Sequence, residues 1–330
     1  MEWLVGLLAA GGGAVATILI LVISLVFTFL LVGATLLPLI ALFAMLPKLI
    51  EQARREEEAR LRMWSEVASE LGGRLERKEI HAAVDGRGLR VVKRVESNGN
   101  NSSSTYTDVH VGAVHPSLSL EAQNLFSGMF GGTDHEVGDA DFDGALVVGG
   151  DEAVIGLLDA RTRELLRRCP YRLRVRRETL RLTTSGAVRD GEKLRNQITW
   201  ARELAAALSA TPDGLVARLA RGAVEDPHPG VRRRFLEVLR DRQPASARTA
   251  AQGVLQDPDP GVRVVAAQVL GRGDLLLDVL VDPASTEETQ LLALASLPPD
   301  AVEEGIRRVV AVEGAGRLWR GAALAAPTAG

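Results

Sequence analysis

The sequence has little of several features that commonly define the chemistry of a domain. Cysteine occurs once, at Cys169, which excludes an intramolecular disulfide framework and a four-cysteine zinc site. Aromatic residues make up 4% of the 330 residues, and so a single large aromatic core is excluded. The net charge of −3 excludes a globally basic nucleic-acid binder and an acidic disordered tail.

The common catalytic signatures are also missing. No P-loop, no G-x-G-x-x-G after a strand, no G-x-S-x-G, no H-E-x-x-H and no kinase motif occurs. The chain is therefore predicted not to be an enzyme, with no catalytic, cofactor or metal site. Lysine is scarce as well, since only four of the 39 basic residues are lysine. Arginine clusters therefore follow the composition of the whole chain and carry less functional weight.

A long uncharged run opens the sequence, because no charged residue lies between Glu2 and Lys48. About 20 apolar residues suffice to cross a bilayer, and so residues 1–47 are predicted to be a transmembrane segment, with one span or two left open. The basic residues that follow predict that residues 48–330 face the cytoplasm. Acid-first i,i+4 pairs such as Glu51 with Arg55 predict a connector helix over residues 48–73, ending at Gly72.

Residues 74–208 are predicted to form an α+β domain. Strand-like segments begin at Leu89, Tyr106 and Ala145, and a hairpin is predicted over residues 171–183. Helices are predicted over residues 152–169 and 191–208, and residues 116–138 are predicted to be a long loop. This order resembles uncharacterised domains of bacterial membrane proteins, a resemblance that implies no activity.

The acidic segment of this domain matches the opening of a calcium loop. Asp139, Asp141 and Asp143 alternate and Gly144 follows, as in D-x-D-x-D-G. The twelfth position is Gly150 and not the bidentate glutamate, and the flank is strand-like, so a polar turn before a strand is predicted. The histidines do not have a metal-ligand spacing and are predicted to be isolated: His81, His110, His115 and His135.

Arginine is concentrated between residues 161 and 181, where nine arginines meet only Glu164 and Glu178. On the predicted strand after Tyr171, arginines take one face and apolar residues the other. Such a face is able to contact anionic lipid headgroups, while nucleic acid is disfavoured because stacking aromatics are missing. The first interpretation is a solvated face balanced by acidic residues elsewhere in the domain, and lipid contact is the alternative to it. The candidate anion-contact residues are Arg172, Arg174, Arg176 and Arg181.

The last third contains a repeat. The segment from Glu225 to Arg232, EDPHPGVR, recurs from Gln256 to Arg263 as QDPDPGVR. A third, degenerate unit begins at Asp282. In each copy an aspartate, Asp226 or Asp257, precedes a proline-initiated helix and is predicted to cap it by accepting its first backbone amides. The arginine is placed to bond an aspartate within or between repeats. The following apolar stripes require neighbouring units to be buried. They are Val231, Phe235, Val238 and Leu239 in the first copy, and Val262, Ala266, Val269 and Leu270 in the second.

The two copies keep the D-x-x-x-x-V-R pattern and resemble HEAT-like repeats of a compact bacterial type. The resemblance implies an all-α solenoid over residues 209–330 that binds a protein partner. The candidate partner-binding residues are the repeated arginines Arg232 and Arg263, together with His228 and Asp259, which occupy the same position in the two copies.

The sequence therefore predicts a multidomain chain with a transmembrane helix, an α+β domain and a HEAT-like solenoid. Its predicted function is a membrane-anchored cytoplasmic adaptor or scaffold whose partners are a protein and the lipid bilayer. The alternatives are a module that senses anionic lipid through the arginine face, and an enzyme hosted in the α+β domain. The identity of the partner and the oligomeric state are left open.

Overall fold

A computed structural model describes residues 13–99, 102–123 and 134–313. The chain divides into two compact units, Met1–Met63 and Trp64–Gly330. The first unit contains most of helix α1, which runs over Gly13–Glu70 and includes the helix predicted from Lys48 onward. The second unit contains the end of α1, the sheet and the remaining helices.

The predicted transmembrane segment is contradicted. Among the described residues, no helix combines the length and the apolar character that crossing a bilayer requires. The transmembrane part of the predicted fold class and the predicted membrane localisation are therefore wrong, while residues 1–12 lie outside the described residues.

One eight-stranded sheet forms the centre of the second unit. Every neighbouring pair is antiparallel, and the order is β1-β2-β3-β4-β8-β7-β5-β6. The strands are β1 Arg74–Glu76, β2 Glu79–Val84, β3 Arg87–Ser97, β4 Ser103–Val111, β5 Leu118–Ala122, β6 Leu146–Gly150, β7 Arg172–Arg176 and β8 Thr179–Ser185.

The sheet is covered on its apolar face by helices. They are α2 Ala140–Asp143, a 3-10 helix Glu152–Leu157, α3 Ala160–Arg168 and α4 Gly191–Ala207. Helix α4 packs against β4 and β8 and buries Leu194, Ile198 and Leu204. The Gln197 amide is buried with them and donates to the Leu182 carbonyl oxygen at 2.9 Å.

Two local predictions in this domain are wrong. Residues 116–138 contain strand β5, which pairs with β6 and β7. The segment 152–169 is not one helix, because the 3-10 helix ends at its C-cap Leu158 and a new helix begins after its N-cap Asp159. The Asp159 carboxylate accepts from the Thr162 amide at 2.8 Å, so this aspartate caps α3.

Seven helices complete the described chain: α5 Pro212–Glu225, α6 Pro229–Arg242, α7 Pro244–Gly253, α8 Pro260–Leu270, α9 Gly273–Val281, α10 Glu287–Ala295 and α11 Val302–Glu313. Consecutive helices pack as pairs, and alternate helices also stack, α5 on α7 and α6 on α8. An eight-stranded sheet followed by helices agrees in part with the predicted fold class.

The predicted apolar stripes differ between the two repeats. Val231, Phe235, Val238 and Leu239 are all buried in α6. In α8, Val262 and Ala266 are buried but Val269 and Leu270 are only half-buried, so the second stripe is wrong at its end. The core against the third unit uses the neighbouring positions Val264 and Ala267 instead.

Candidate functional site

The repeats are joined by buried ion pairs between arginine and aspartate. The Arg232 guanidinium donates to both oxygens of Asp257, from Nε at 2.8 Å and from Nη2 at 2.7 Å. Its Nη1 donates to the Asp226 carbonyl oxygen at 2.7 Å. The arginine of one unit therefore holds the backbone of its own aspartate and the carboxylate of the next unit. The sequence left open whether these bonds form within or between repeats, and the carboxylate bond is between them.

The same arrangement recurs at the next junction. Arg263 pairs with Asp282 of the third unit, and its Nη1 donates to the Asp257 carbonyl oxygen at 2.7 Å. Each of the three aspartates also accepts the backbone amide two residues later, in an Asx turn. These amides belong to His228, Asp259 and Ala284. The aspartates thus close the interhelical loop and do not cap the following helix as predicted.

An arginine of the sheet domain forms an equivalent pair with the aspartate of the first repeat. Arg163 on α3 donates from Nη1 and Nη2 to the two oxygens of Asp226, at 3.0 and 2.9 Å, and from Nη1 to the Leu158 carbonyl oxygen at 2.8 Å. Its side chain is 1% exposed. Arg163 therefore takes the place of a repeat arginine. We call the three pairs Arg163–Asp226, Arg232–Asp257 and Arg263–Asp282 the Arg–Asp ladder.

A second carboxylate completes the environment of Arg163. Asp139, at the start of α2, is 2% exposed and accepts from Arg163 Nε at 2.9 Å and from Arg167. Burial by itself would raise the pKa of Asp139, but hydrogen bonds from Arg167, the Phe142 amide and Arg163 outweigh burial and lower it. Burial would likewise lower the pKa of Arg163, and Asp226 and Asp139 raise it instead. Both groups are held in their charged forms.

Glycines let the sheet domain and the first repeat approach closely. A Cβ on Gly230 would lie 2.2 Å from the Gly138 carbonyl oxygen, and a Cβ on Gly138 would lie 2.4 Å from the Gly230 carbonyl oxygen. Gly156 on the 3-10 helix faces Leu219 of α5 in the same way, at 2.6 Å. The backbones meet without room for side chains, so this junction is a packed interior.

The four candidate partner-binding residues have different environments. Arg232 is 8% exposed and, with Arg263, belongs to the Arg–Asp ladder. The Asp259 carboxylate accepts from the Val262 amide at 3.0 Å and caps α8. The side chain of His228 is 46% exposed, and its Nε2 lies 3.6 Å from Asp139 Oδ2. The ladder gives the two arginines a structural task, and partner contact by any of the four stays a prediction.

The acidic segment is occupied by the protein itself. Asp139 is paired with arginines, and Asp143 accepts three backbone amides, from Val137, Gly138 and Asp139. The segment forms the short helix α2 where a polar turn was predicted. Among the described residues, no group of three or more histidine, cysteine or acidic side chains is arranged to hold a metal ion.

Cys169 lies half-buried after α3, with Sγ 3.7 Å from the Tyr171 carbonyl oxygen. Burial raises the pKa of the thiol, and this hydrogen bond only partly opposes the effect. The thiolate is therefore disfavoured, which argues against a nucleophilic cysteine.

The opposite face of the sheet is polar. Cross-strand pairing sets Arg174 of β7 against Arg181 of β8, Arg181 against His110 of β4, and His110 against Arg90 of β3. A cleft of about 210 Å³ opens beside this row and is lined by Arg94, Glu96, Tyr106, Glu121, Ala122, Arg172, Leu173, Arg174, Arg181 and Thr183. Arg176 lies at the end of β7, exposed and outside the cleft. Three of the four candidate anion-contact residues thus share one cleft.

Sequence reasoning missed the role of Arg163 and Asp139. Arg163 was one of nine arginines in a crowded stretch, and its partner Asp226 is 63 residues away. The one available signal was the aspartate at the end of α5, which in a repeating scheme requires an arginine from a preceding unit. The sequence has no repeat copy before residue 225 to supply it.

Comparison with protein-family models, with curated proteins and with solved structures finds no match for this chain. The resemblance of the repeats to HEAT-like units therefore stays a prediction.

Proposed function

We propose that the protein is a scaffold that binds a protein partner through the surface of its helical repeats. The observation that carries this proposal is the Arg–Asp ladder, which runs without interruption from α3 in the sheet domain to the loop after α9. Two of its pairs are buried and doubly hydrogen-bonded, Arg163–Asp226 and Arg232–Asp257, and such pairs hold successive helices in one arrangement. A surface that is already ordered loses less conformational entropy on binding.

A row of polar side chains crosses the alternate helices α6, α8 and α10 and offers a contact surface. Arg240 of α6 donates to Gln268 of α8 at 3.4 Å, and Gln268 donates to Ser296 at the end of α10. A depression of about 430 Å³ adjoins the row, with Leu276 and Pro298 among its lining residues. An apolar surface bordered by polar groups is typical of protein interfaces.

The alternatives have less support. An enzyme in the sheet domain would need its acidic segment, but Asp139 and Asp143 are engaged by arginines and backbone amides. Contact between the sheet face and anionic lipid has one observation in its favour. Among the described residues, Arg172 and Arg181 have no ion-pair or hydrogen-bond partner. The resemblance to HEAT-like repeats adds to the scaffold proposal, since such solenoids bind proteins.

A site-specific photocrosslinker in the full chain tests the proposal. It is placed at Arg272, which lines the depression and is exposed, and at Glu192, an exposed control position on α4. The proposal expects one protein to be captured from Arg272 and not from Glu192. It also expects capture to be lost in Arg240→Glu, and the captured protein to bind the purified chain. Equal capture from both positions, or binding that is indifferent to Arg240→Glu, would contradict it.

A further inference from the structure

The cleft on the polar sheet face has an unusual charge arrangement. Antiparallel pairing places Arg174 directly opposite Arg181, where like charges oppose pairing. Arg172 faces Thr183 on the same two strands, so three guanidinium groups rise from two adjacent strands on one side. Residues Leu173 and Leu182 between them are buried on the other side, which fixes the direction of the arginines.

The nearby carboxylates are already taken. Asp108 accepts from Arg94 at 2.7 Å and from the Thr183 hydroxyl at 2.7 Å. Arg94 also pairs with Glu96, while Glu121 pairs with Arg174 at 3.2 Å. No carboxylate in the part of the chain that the structure describes pairs with Arg172 or Arg181, although Asp108 acts on Arg181 from a distance.

One donor in the cleft is also unused. Among the described residues, the buried Nε of Arg174 has no hydrogen-bond partner, although Nη2 of the same side chain bonds Glu121. The ring of Tyr106 borders the cleft, with the Arg94 guanidinium carbon 4.7 Å from its centroid.

We propose that this cleft binds a phosphate group, held by Arg172 and Arg181 beside the positive charge of Arg174. Phosphate offers several acceptor oxygens to guanidinium donors in a forked geometry, which a single carboxylate matches less completely. The cleft volume of about 210 Å³ exceeds that of one phosphate, so the group attached to the phosphate lies along Tyr106. The ligand is a phosphomonoester, either a small molecule or a lipid headgroup.

The test is a calorimetric titration of the full chain with inorganic phosphate and with pyrophosphate, at constant ionic strength in chloride. A second arm measures co-sedimentation with vesicles of phosphatidic acid in phosphatidylcholine, against phosphatidylcholine alone. Saturable binding in the first arm supports the proposal and identifies a free phosphate compound as sufficient. Binding in the second arm alone supports it with a lipid as the source, provided that it depends on the same arginines.

The variants decide whether the cleft is responsible. Arg172→Gln and Arg181→Gln should each weaken binding by roughly tenfold or more, as expected for a lost charge-assisted hydrogen bond. Arg181→Lys should retain part of the affinity. Arg248→Gln removes an exposed arginine of α7 and is the matched control, so its affinity should be unchanged. No saturable binding in either arm, or equal weakening in Arg248→Gln, would overturn the proposal. Melting temperatures within the wild-type range show that the variants fold.

Discussion

Arginine does two different things in two regions of this molecule. In the Arg–Asp ladder, guanidinium groups are buried or half-buried, and each is bonded to the carboxylate of the next unit. On the polar sheet face, guanidinium groups stand opposite one another, and two of them pair with no described carboxylate. The sequence cannot separate the regions by composition, since both are rich in arginine. The regions differ in whether the fold brings an aspartate from elsewhere in the chain into contact with the arginine. This difference predicts opposite changes in the free energy of unfolding when the arginine is substituted.

The largest effect is expected at the first rung of the ladder. Arg163→Ala would leave Asp139 with Arg167 as its one remaining arginine and would leave the buried Asp226 carboxylate without a guanidinium. Breaking a buried pair on one side costs about 3–5 kcal/mol. Urea unfolding of the full chain measures this change in the free energy of unfolding. Arg161→Ala, which removes an exposed arginine of the same helix, is the control and should cost less than about 0.5 kcal/mol. Equal costs for the two variants would remove the special role of Arg163.

The second comparison lies within the ladder. Arg232 and Asp257 have side chains that are 10% and 6% exposed, whereas those of Arg263 and Asp282 are 21% and 26% exposed. Solvent screens the second pair more strongly. We expect Arg232→Ala to cost about 2–4 kcal/mol and Arg263→Ala about 0.5–1.5 kcal/mol. The same unfolding experiment checks both, and a larger cost for Arg263→Ala would mean that burial does not set the strength of the rungs.

The packed junction offers a matched pair of glycines at the same position of the repeat. Gly230→Ala would place a Cβ 2.2 Å from a backbone oxygen of Gly138, whereas a Cβ on Gly261 would meet only the Asp259 and Arg233 side chains, at 3.1 and 3.4 Å. We expect Gly230→Ala to cost about 1–3 kcal/mol through overpacking and Gly261→Ala clearly less. Thermal melting compares them. Similar melting temperatures for the two variants would show that the sheet domain is not tightly packed against the first repeat.

Acid should weaken the ladder at its sheet end. The pKa of Asp139 is lowered in the folded chain, so the unfolded state binds the proton more readily. Its contribution to stability is therefore complete above the unfolded pKa of about 4 and is lost as the pH falls toward the lower folded pKa. The unfolding free energy of wild type should drop more steeply below pH 4 than that of Asp139→Asn. Parallel curves for the two proteins would contradict this assignment.

The smallest effect is expected on the sheet face, and its sign is reversed. Arg181→Gln removes a like charge opposite Arg174, and cross-strand repulsion of this kind is worth a few tenths of a kcal/mol. In buffer without phosphate, the free energy of unfolding should stay the same or rise by about 0.5 kcal/mol at most. A loss of more than about 1 kcal/mol would show that Arg181 is a structural residue like those of the ladder.

Local patterns predicted the parts of the fold whose signals are local. The hairpin over residues 171–183 and the helix from Gly191 follow from alternation and periodicity, and the structure confirms both. Strand β5 was missed because its five residues gain their pairing from β6 and β7, which lie far along the chain. The end of the 3-10 helix at Leu158 was missed because apolar residues continue past it. Only the cap residue Asp159 marks the start of the next helix.

The site was less predictable than the fold, because its partners are distant in sequence. The repeat copies predicted that Arg232 and Arg263 bond an aspartate. The partner of Arg232, however, is Asp257, 25 residues further along the chain, and this pairing is set by how the helices stack. Nothing local links Arg163 to Asp226. The predicted transmembrane segment rested on the length of an uncharged run, and no helix of the described residues bears it out.

The central claim is that the ladder joins the sheet domain and the helical repeats into one cooperative unit. Hydrogen exchange of the full chain under native conditions, read by mass spectrometry, tests it through two peptides, one containing Leu182 of β8 and one containing Leu236 of α6. In the wild type, the amides of both should exchange with the same opening free energy, which rises together with the global stability. In Arg163→Ala, the α6 peptide should exchange at a lower opening free energy than the β8 peptide. Separate opening of the two peptides already in the wild type would contradict the claim.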